Sequence, residues 1–161
     1  MTTESDEQRQ AETIAAGMLG RDAYTRWLGA ELVLIRPRAC TLRMKVRADM
    51  LNGFGVSHGG IVFSLADSAL AFASNTNGHV TVSVDNTISY PVPVELNDEL
   101  IAVAEEETAG ARLGFYRVTV ARQDGTCVAL MHATVYRTPQ KHHLDHSSPM
   151  RSMLWSAEAA H

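Results

Sequence analysis

The chain has 161 residues, of which 45% are apolar and 20% are charged, and its formal net charge is −4. This composition is typical of one globular domain with a sizeable core. It contains no run of about 18 apolar residues, which argues against a membrane helix, and no basic surface for nucleic acid. The polar, acidic N-terminus lacks the pattern of a signal peptide, so we expect a cytoplasmic protein.

Residues 1–27 form the first predicted unit, a helical segment that packs on the rest of the domain. Apolar residues recur at helical spacing between Ile14 and Leu19, behind a charged lead. A short turn then carries two aromatic residues, Tyr24 and Trp27. We expect both pieces to act as amphipathic cover over the core.

Six segments of the remaining chain have the composition and alternation of β-strands. They are residues 30–36, 39–47, 80–90, 99–108, 113–123 and 127–137. Strands joined by turns as short as Asp124-Gly125 must be antiparallel. With one helix between the second and third strands, the pattern predicts an α+β domain over residues 28–138, in which one sheet curls around one helix. Cys40 and Cys127 lie inside predicted strands and are expected as buried free thiols.

Residues 57–75 are predicted to form that helix, which is almost wholly apolar and should therefore be buried. Its one charge is Asp67. No Lys or Arg occurs from Ala48 through Ala111, so no strong cation nearby in sequence offsets the desolvation of this carboxylate. Asp67 is therefore the residue that most needs a functional explanation.

The start of the helix has the pattern of a carbonyl-binding site. Gly59 and Gly60 would present free N–H groups at the positive helix end and allow a substrate carbonyl to approach closely. Asp67 follows Gly60 by seven residues, about 10 Å along the axis, which its side chain cannot span. An antiparallel second copy of the helix would bring the two together, so the spacing predicts a homodimer with shared sites.

In such a site Asp67 would act as a nucleophile or as a general base toward water, and the Gly60 N–H would stabilise the oxyanion. His58 and Asn52 would orient the carbonyl or the base, while Ser68 could bond the carboxylate or hold the attacking water. Each of the last three has a structural alternative. His58 could simply cap the helix, Asn52 could form a turn, and Ser68 could bond a backbone carbonyl.

Residues 52–69 closely resemble the signature of hotdog-fold acyl-CoA thioesterases, and among them the phenylacetic-acid-degradation (PaaI-type) branch. That signature has an Asn, a His-Gly-Gly six residues later, and an acid nine residues beyond the His. Asn52, His58 and Asp67 match it in type and spacing. The resemblance extends over about residues 11 to 137.

The resemblance implies a sheet of about six strands around a long helix and hydrolysis of acyl-CoA thioesters without a metal or redox cofactor. It also implies a homodimer whose acid comes from the partner subunit, with a homotetramer expected. The branch implies phenylacetyl-CoA or hydroxyphenylacetyl-CoA as substrates, with Phe54, Phe63 and Tyr90 as candidate pocket walls. Many relatives carry an Arg where this chain has Pro91-Val92-Pro93, so Arg112, or alternatively the region of Arg137 and Lys141, is a candidate contact for the CoA phosphates.

Two other functions remain open at this point. A hotdog dehydratase or hydratase also places an acid and a His at the helix, and a noncatalytic acyl-CoA sensor can use the same fold. Residues 139–161 are expected to form a flexible tail, and its three histidines, His142, His143 and His146, are a weak metal-binding pattern.

Overall fold

The computed structural model of the chain describes residues 3–143. In this part of the chain six strands form one antiparallel sheet, and a long helix packs on it. The elements are α1 (Glu4–Arg21), α2 (Ala23–Leu28), β1 (Glu31–Arg36), β2 (Ala39–Lys45), α3 (Gly59–Asn75), β3 (His79–Ser89), β4 (Glu99–Ala109), β5 (Leu113–Arg122) and β6 (Cys127–Lys141), with a short 3-10 turn at Ala48–Met50. The predicted α+β architecture is confirmed.

The sheet has the strand order β1-β2-β4-β5-β6-β3, and every neighbouring pair is antiparallel. Helix α3 connects β2 with β3 and contacts all six strands. The chain therefore crosses one face of the sheet inside α3 and returns along the far edge in β3. As a result, β1 and β3 are the two edge strands.

The core lies between α3 and this face of the sheet. The apolar side predicted for α3, from Ile61 to Ala73, is buried, and the alternation predicted for β2 is confirmed, since Leu42 and Met44 are buried while Arg43 is exposed. Three polar residues of α3, Ser68, Ser74 and Asn75, are buried as well. Because α1 and α2 also contact α3, this helix is covered on more sides than its amphipathic pattern suggests.

The two N-terminal helices are held by side-chain caps. Thr3 caps α1, and Asp22 caps α2 through a hydrogen bond from the Thr25 N–H. Both helices contact α3, while Tyr24 and Trp27 are about half exposed and stack on each other. In a helix of only six residues one stripe can face inward, and that stripe carries Thr25 and Leu28.

The C-terminal end of α3 is tied to the last strand. The buried Asn75 amide accepts a hydrogen bond from the Thr81 N–H and donates to the Thr81 carbonyl, and its oxygen also accepts from His142 Nε2 at 2.7 Å. Strand β6 continues to Lys141, beyond the boundary predicted at residue 138. The third histidine of the tail, His146, lies outside the described residues.

The two cysteines differ in environment. Both are free thiols, but only Cys40 is buried, whereas Cys127 is exposed at the first position of β6. The prediction of two buried thiols was therefore wrong for Cys127, because a strand end is open to solvent even when the strand interior is not. Among the helices of residues 3–143, none has both the length and the apolar character that crossing a membrane requires.

Burial of α3 predicts that substitution by Ala destabilises the protein far more at one leucine than at another. Leu65, in the middle of α3, is 0% exposed, whereas Leu96, in the loop before β4, is 45% exposed. We expect Leu65→Ala to lower the free energy of unfolding by about 2–5 kcal/mol, because it leaves a cavity in the core. Leu96→Ala makes the same chemical change at the surface and should cost under about 0.5 kcal/mol. Urea denaturation measures both values, and equal losses would contradict the central position of α3.

Candidate active site

The loop before α3 is closed by Asn52. Its side-chain oxygen accepts hydrogen bonds from the backbone N–H groups of Phe54 at 2.9 Å and Val56 at 3.4 Å. Gly55 has a φ of 80°, which a residue with a side chain rarely adopts. The turn leaves Phe54 at its tip, 93% exposed, so within one subunit this predicted pocket wall contacts little. The side-chain oxygen of Asn52 therefore stabilises the turn, which is the structural alternative considered for this residue.

His58 is the N-cap of α3. Its Nδ1 accepts a hydrogen bond from the Gly60 N–H at 3.0 Å, so the neutral ring carries its proton on Nε2. The Gly60 N–H, which we expected to be free, is thus already paired, and a substrate carbonyl must displace the imidazole to reach it. The N–H of Gly59, at the first helical position, has no intrahelical acceptor. A Cβ at Gly60 would lie 3.1 Å from His58 Nδ1, a tight contact that would require the imidazole to shift.

The segment after β3 braces the same helix end. The Tyr90 hydroxyl donates to the Gly59 carbonyl at 3.0 Å, and the Ser57 N–H donates to the Val94 carbonyl at 2.7 Å. Partial burial raises the pKa of Tyr90, so its hydroxyl stays protonated and can act as a donor. The proline-containing turn that lacks the expected Arg therefore has a structural role beside the helix start.

A cavity of about 460 Å³ opens beside the first turn of α3, a volume in the range of small-molecule sites. Its lining includes three predicted site residues, His58, Gly60 and Phe63. It also includes six that sequence reasoning missed: Tyr24, Asp49, Met50, Leu51, Ile61 and Ser64. The Ser64 hydroxyl donates to the Gly60 carbonyl at 2.7 Å and lies 3.0 Å from the Tyr24 hydroxyl, which must then be the donor. The cavity wall thus combines apolar side chains with two adjacent hydroxyl groups, the His58 imidazole and the Asp49 carboxylate.

Asp67 is half-buried on α3, and one side chain of β3 contacts it. Asn86 Nδ2 donates to Asp67 Oδ1 at 3.3 Å. Burial raises the pKa of Asp67 above its ordinary value, and the bond from Asn86 opposes that rise. In residues 3–143 no Lys, Arg or His forms an ion pair with Asp67, as the cation-free stretch of sequence indicated. Sequence reasoning missed Asn86, because the pairing depends on where β3 passes α3.

Within one subunit Asp67 and Gly60 stay apart, since seven helical residues separate them by about 10 Å along α3. Ser68, expected next to the Asp67 carboxylate or a water, instead faces α2. Its buried hydroxyl lies 2.8 Å from Thr25 Oγ1, and Thr25 in turn donates to Asp22. Ser68 therefore holds α2 against α3 in this structure.

Arg112 lies at the opposite end of the sheet from the helix start. It precedes Leu113, which pairs with Tyr136 near the end of β6, whereas Tyr90 and Gly59 meet near the beginning of β6. The neighbouring Arg137 is ion-paired with Glu106 at 2.8 Å and mostly buried, so it has no free charge for a phosphate. Arg112 is thus not among the residues that line the cavity of its own subunit.

The described residues include no cluster of three or more His, Cys, Asp or Glu side chains that could hold a metal ion. The groups that the site does offer are backbone N–H donors at a helix end, an imidazole, two hydroxyls and a desolvated carboxylate. These groups can bind a carbonyl oxygen and move a proton.

The comparisons with known proteins agree with this chemistry. The family model described as "Thioesterase superfamily" matches residues 54–129. The chain is 34% identical to the acyl-coenzyme A thioesterase PaaI of Escherichia coli, over 76% of this chain and 88% of that one. The solved structure of E. coli PaaI superposes with a TM-score of 0.82 at 32% identity, over 83% of this chain and 97% of that one. The smu.793 protein of Streptococcus mutans, solved with acetyl CoA bound, superposes with a TM-score of 0.68 at 25% identity, over 70% of this chain and 91% of that one.

The environment of Asp67 predicts a pH-dependent cost to stability. Because burial raises its pKa, the folded chain holds this proton to a higher pH than the unfolded chain, where the ordinary value is 3.8. The ionised carboxylate therefore destabilises the fold at neutral pH, and the penalty disappears below the ordinary pKa. We expect Asp67→Asn to unfold at a higher temperature than wild type at pH 7, with a gap that narrows as the pH falls.

Asp124→Asn is the matched control for this measurement. Hydrogen bonds from Thr126 lower the pKa of Asp124, so its charge contributes to stability at neutral pH and the Asn variant should not be stabilised. Thermal unfolding from pH 3 to pH 7 compares the two variants. A constant gap for Asp67→Asn across this range would show that desolvation of the charge is not the cause.

Proposed function

Since the chain belongs to the thioesterase superfamily and is an acyl-CoA thioesterase of the hotdog fold, we propose that it hydrolyses aryl-acetyl-CoA thioesters. Phenylacetyl-CoA and hydroxyphenylacetyl-CoA are the proposed substrates, and the free acid and CoA are the products. The observation that carries the proposal is the cavity at the first turn of α3. Its apolar side chains, Met50, Leu51, Ile61 and Phe63, suit an aryl group, and the Tyr24 and Ser64 hydroxyls suit a polar substituent on the ring. A cytoplasmic location and a tetramer stay predictions.

In the proposed reaction the thioester carbonyl oxygen takes the Gly59 and Gly60 N–H groups at the positive end of α3. To do so it replaces His58 Nδ1 as the acceptor of the Gly60 N–H, and the displaced imidazole keeps its Nε2–H as a donor. Asp67 of the partner subunit accepts a proton from water as the water oxygen attacks the carbonyl carbon. The C–S bond then breaks, and the CoA sulfur leaves and takes the proton that Asp67 accepted from water. Attack by the Asp67 carboxylate itself is the alternative route.

Two observations support a site shared between two subunits. The distance along α3 keeps Asp67 away from Gly60 of its own chain. Strand β3 is an open edge of the sheet and exposes Val82 and Val84, which are 46% and 58% accessible. Pairing of two β3 edges about a two-fold axis would continue the sheet, cover these valines and set two α3 helices antiparallel, side by side.

The substrate and the role of Asp67 are tested together by measuring thiol release from a panel of CoA thioesters. The panel contains phenylacetyl, hydroxyphenylacetyl, benzoyl and straight-chain acyl groups. We expect the aryl-acetyl thioesters to give the highest kcat/KM. Asp67→Asn should lower kcat by about 100-fold or more, the effect of losing a positioned base or nucleophile, while Asp124→Asn should retain wild-type rates. Preference for straight chains would overturn the substrate class, and binding of these thioesters without hydrolysis would favour the acyl-CoA sensor.

The shared site is tested by complementation between two inactive variants. His58→Ala and Asp67→Asn damage different halves of a shared site, so a mixed dimer contains one doubly damaged and one intact site. Random mixing makes half of the dimers mixed, and about a quarter of all sites should then be active. The two variants are co-expressed, each with its own tag, and the mixture is isolated. We expect its rate of thiol release to recover to about a quarter of the wild-type rate. If each site belongs to one subunit, no activity returns.

A further inference from the structure

The Asp67 carboxylate is held at one oxygen. Asn86 Nδ2 donates to Asp67 Oδ1 at 3.3 Å, and within residues 3–143 no other side chain or loop N–H donates to this carboxylate. The second oxygen, Oδ2, is therefore not engaged by the described part of the chain. A carboxylate with one fixed and one unengaged oxygen has a defined orientation and a defined reactive atom.

Asn86 is itself oriented by the strand that carries it. Ser83 Oγ donates to Asn86 Oδ1 at 2.8 Å, which places the amide oxygen toward Ser83 and the NH₂ group toward Asp67. Residues three apart in a regular strand point to opposite faces, yet these two meet. The reason is a bulge in the register between Ser83 and Asp85, so that Ser83 and Asn86 lie opposite Val135 and Ala133, which are both buried.

We propose that Asn86 is a positioning residue for Asp67, which fixes Oδ1 and leaves Oδ2 as the oxygen that acts on water or on the thioester. This inference rests on the proposed function of Asp67, and it adds a residue of β3 to the site. The bulge in β3 is part of this arrangement, since without it the Ser83 hydroxyl could not reach and orient the Asn86 amide.

Several titratable and charged groups on the elements around α3 have partners of their own, whereas Asp85 of β3 and His132 of β6 are exposed and have no side-chain hydrogen bond or ion pair within residues 3–143. Asp22 bonds Thr25, Arg137 and Tyr116 bond Glu106, His142 bonds Asn75, and burial raises the pKa of the Cys40 thiol to about 12. Burial also raises the pKa of Asp67, and the bond from Asn86 is the influence that lowers it. Removal of that bond should therefore be visible in the titration of Asp67.

The test follows the Asp67 carboxyl carbon by NMR in protein labelled with ¹³C at the aspartate side chains, with Asp67→Asn used to assign the signal. In Asn86→Ala the titration midpoint of Asp67 should rise by about one pH unit, the size of one hydrogen bond to a carboxylate. Asn86→Asp replaces the donor with a like charge and should raise it further. Thr87→Ala, the neighbouring position with its partner His132 on the exposed face, is the control and should leave the midpoint unchanged.

Kinetics on the best thioester of the panel give the second readout. Asn86→Ala should lower kcat by about tenfold with little change in KM, and the acidic limb of its pH profile should move to higher pH. A wild-type midpoint in a folded Asn86→Ala protein overturns the inference and leaves the proposed function standing. A shifted midpoint in a protein that hydrolyses no thioester supports the contact and rejects the proposed function. Circular dichroism confirms folding, and Ser83→Ala, which leaves the donor in place, should produce a smaller shift in the same direction.

Discussion

The burial of α3 by the sheet is the constraint on which the rest of the molecule depends. A helix that contacts all six strands has to be apolar or small along most of its surface. Its ends are then the places where polar backbone groups meet solvent, and each end is fastened separately. The loop before α3 is held by backbone hydrogen bonds from Ser57 to Val94 and from His58 to Met50, and the other end is held by the Asn75 amide. The positive helix end is thus fixed in place beside a cavity.

Within α3, the ionised Asp67 carboxylate destabilises the folded state. Asp67 is a carboxylate in apolar surroundings with no cation beside it, and its ionised form lowers stability at the pH where it would be useful. Ser68, one position later, has the opposite character, since its hydroxyl is satisfied by Thr25 and joins two helices. Two adjacent polar residues on one helix therefore differ: the charge of Asp67 lowers stability and has a proposed catalytic role, whereas the Ser68 hydroxyl is structural.

The sequence predicted the parts of the structure that depend on local pattern. Alternation located all six strands, and the apolar run located α3 to within about two residues, because these signals are repeated along each element. The sequence did not predict the contacts that depend on the register between paired strands. The bond from Asn86 to Asp67 needs a bulge in β3, and the distance of Arg112 from the helix start follows from how β5 and β6 pair. The Gly60 N–H was expected to be free because a capping imidazole depends on one side-chain rotamer, which sequence does not specify.

In the proposed site, the capping bond from Gly60 to His58 would favour a negatively charged oxygen over a neutral one. An imidazole nitrogen is a good acceptor, so a neutral carbonyl that takes its place gains little from the exchange. An oxygen that acquires negative charge during attack gains much more from the same N–H and from the helix end. In the proposed site, competition with the His58 imidazole would therefore weaken binding of the neutral thioester carbonyl. The interaction with the Gly60 N–H would then strengthen as negative charge develops on the oxygen. The resting helix, meanwhile, keeps this donor satisfied.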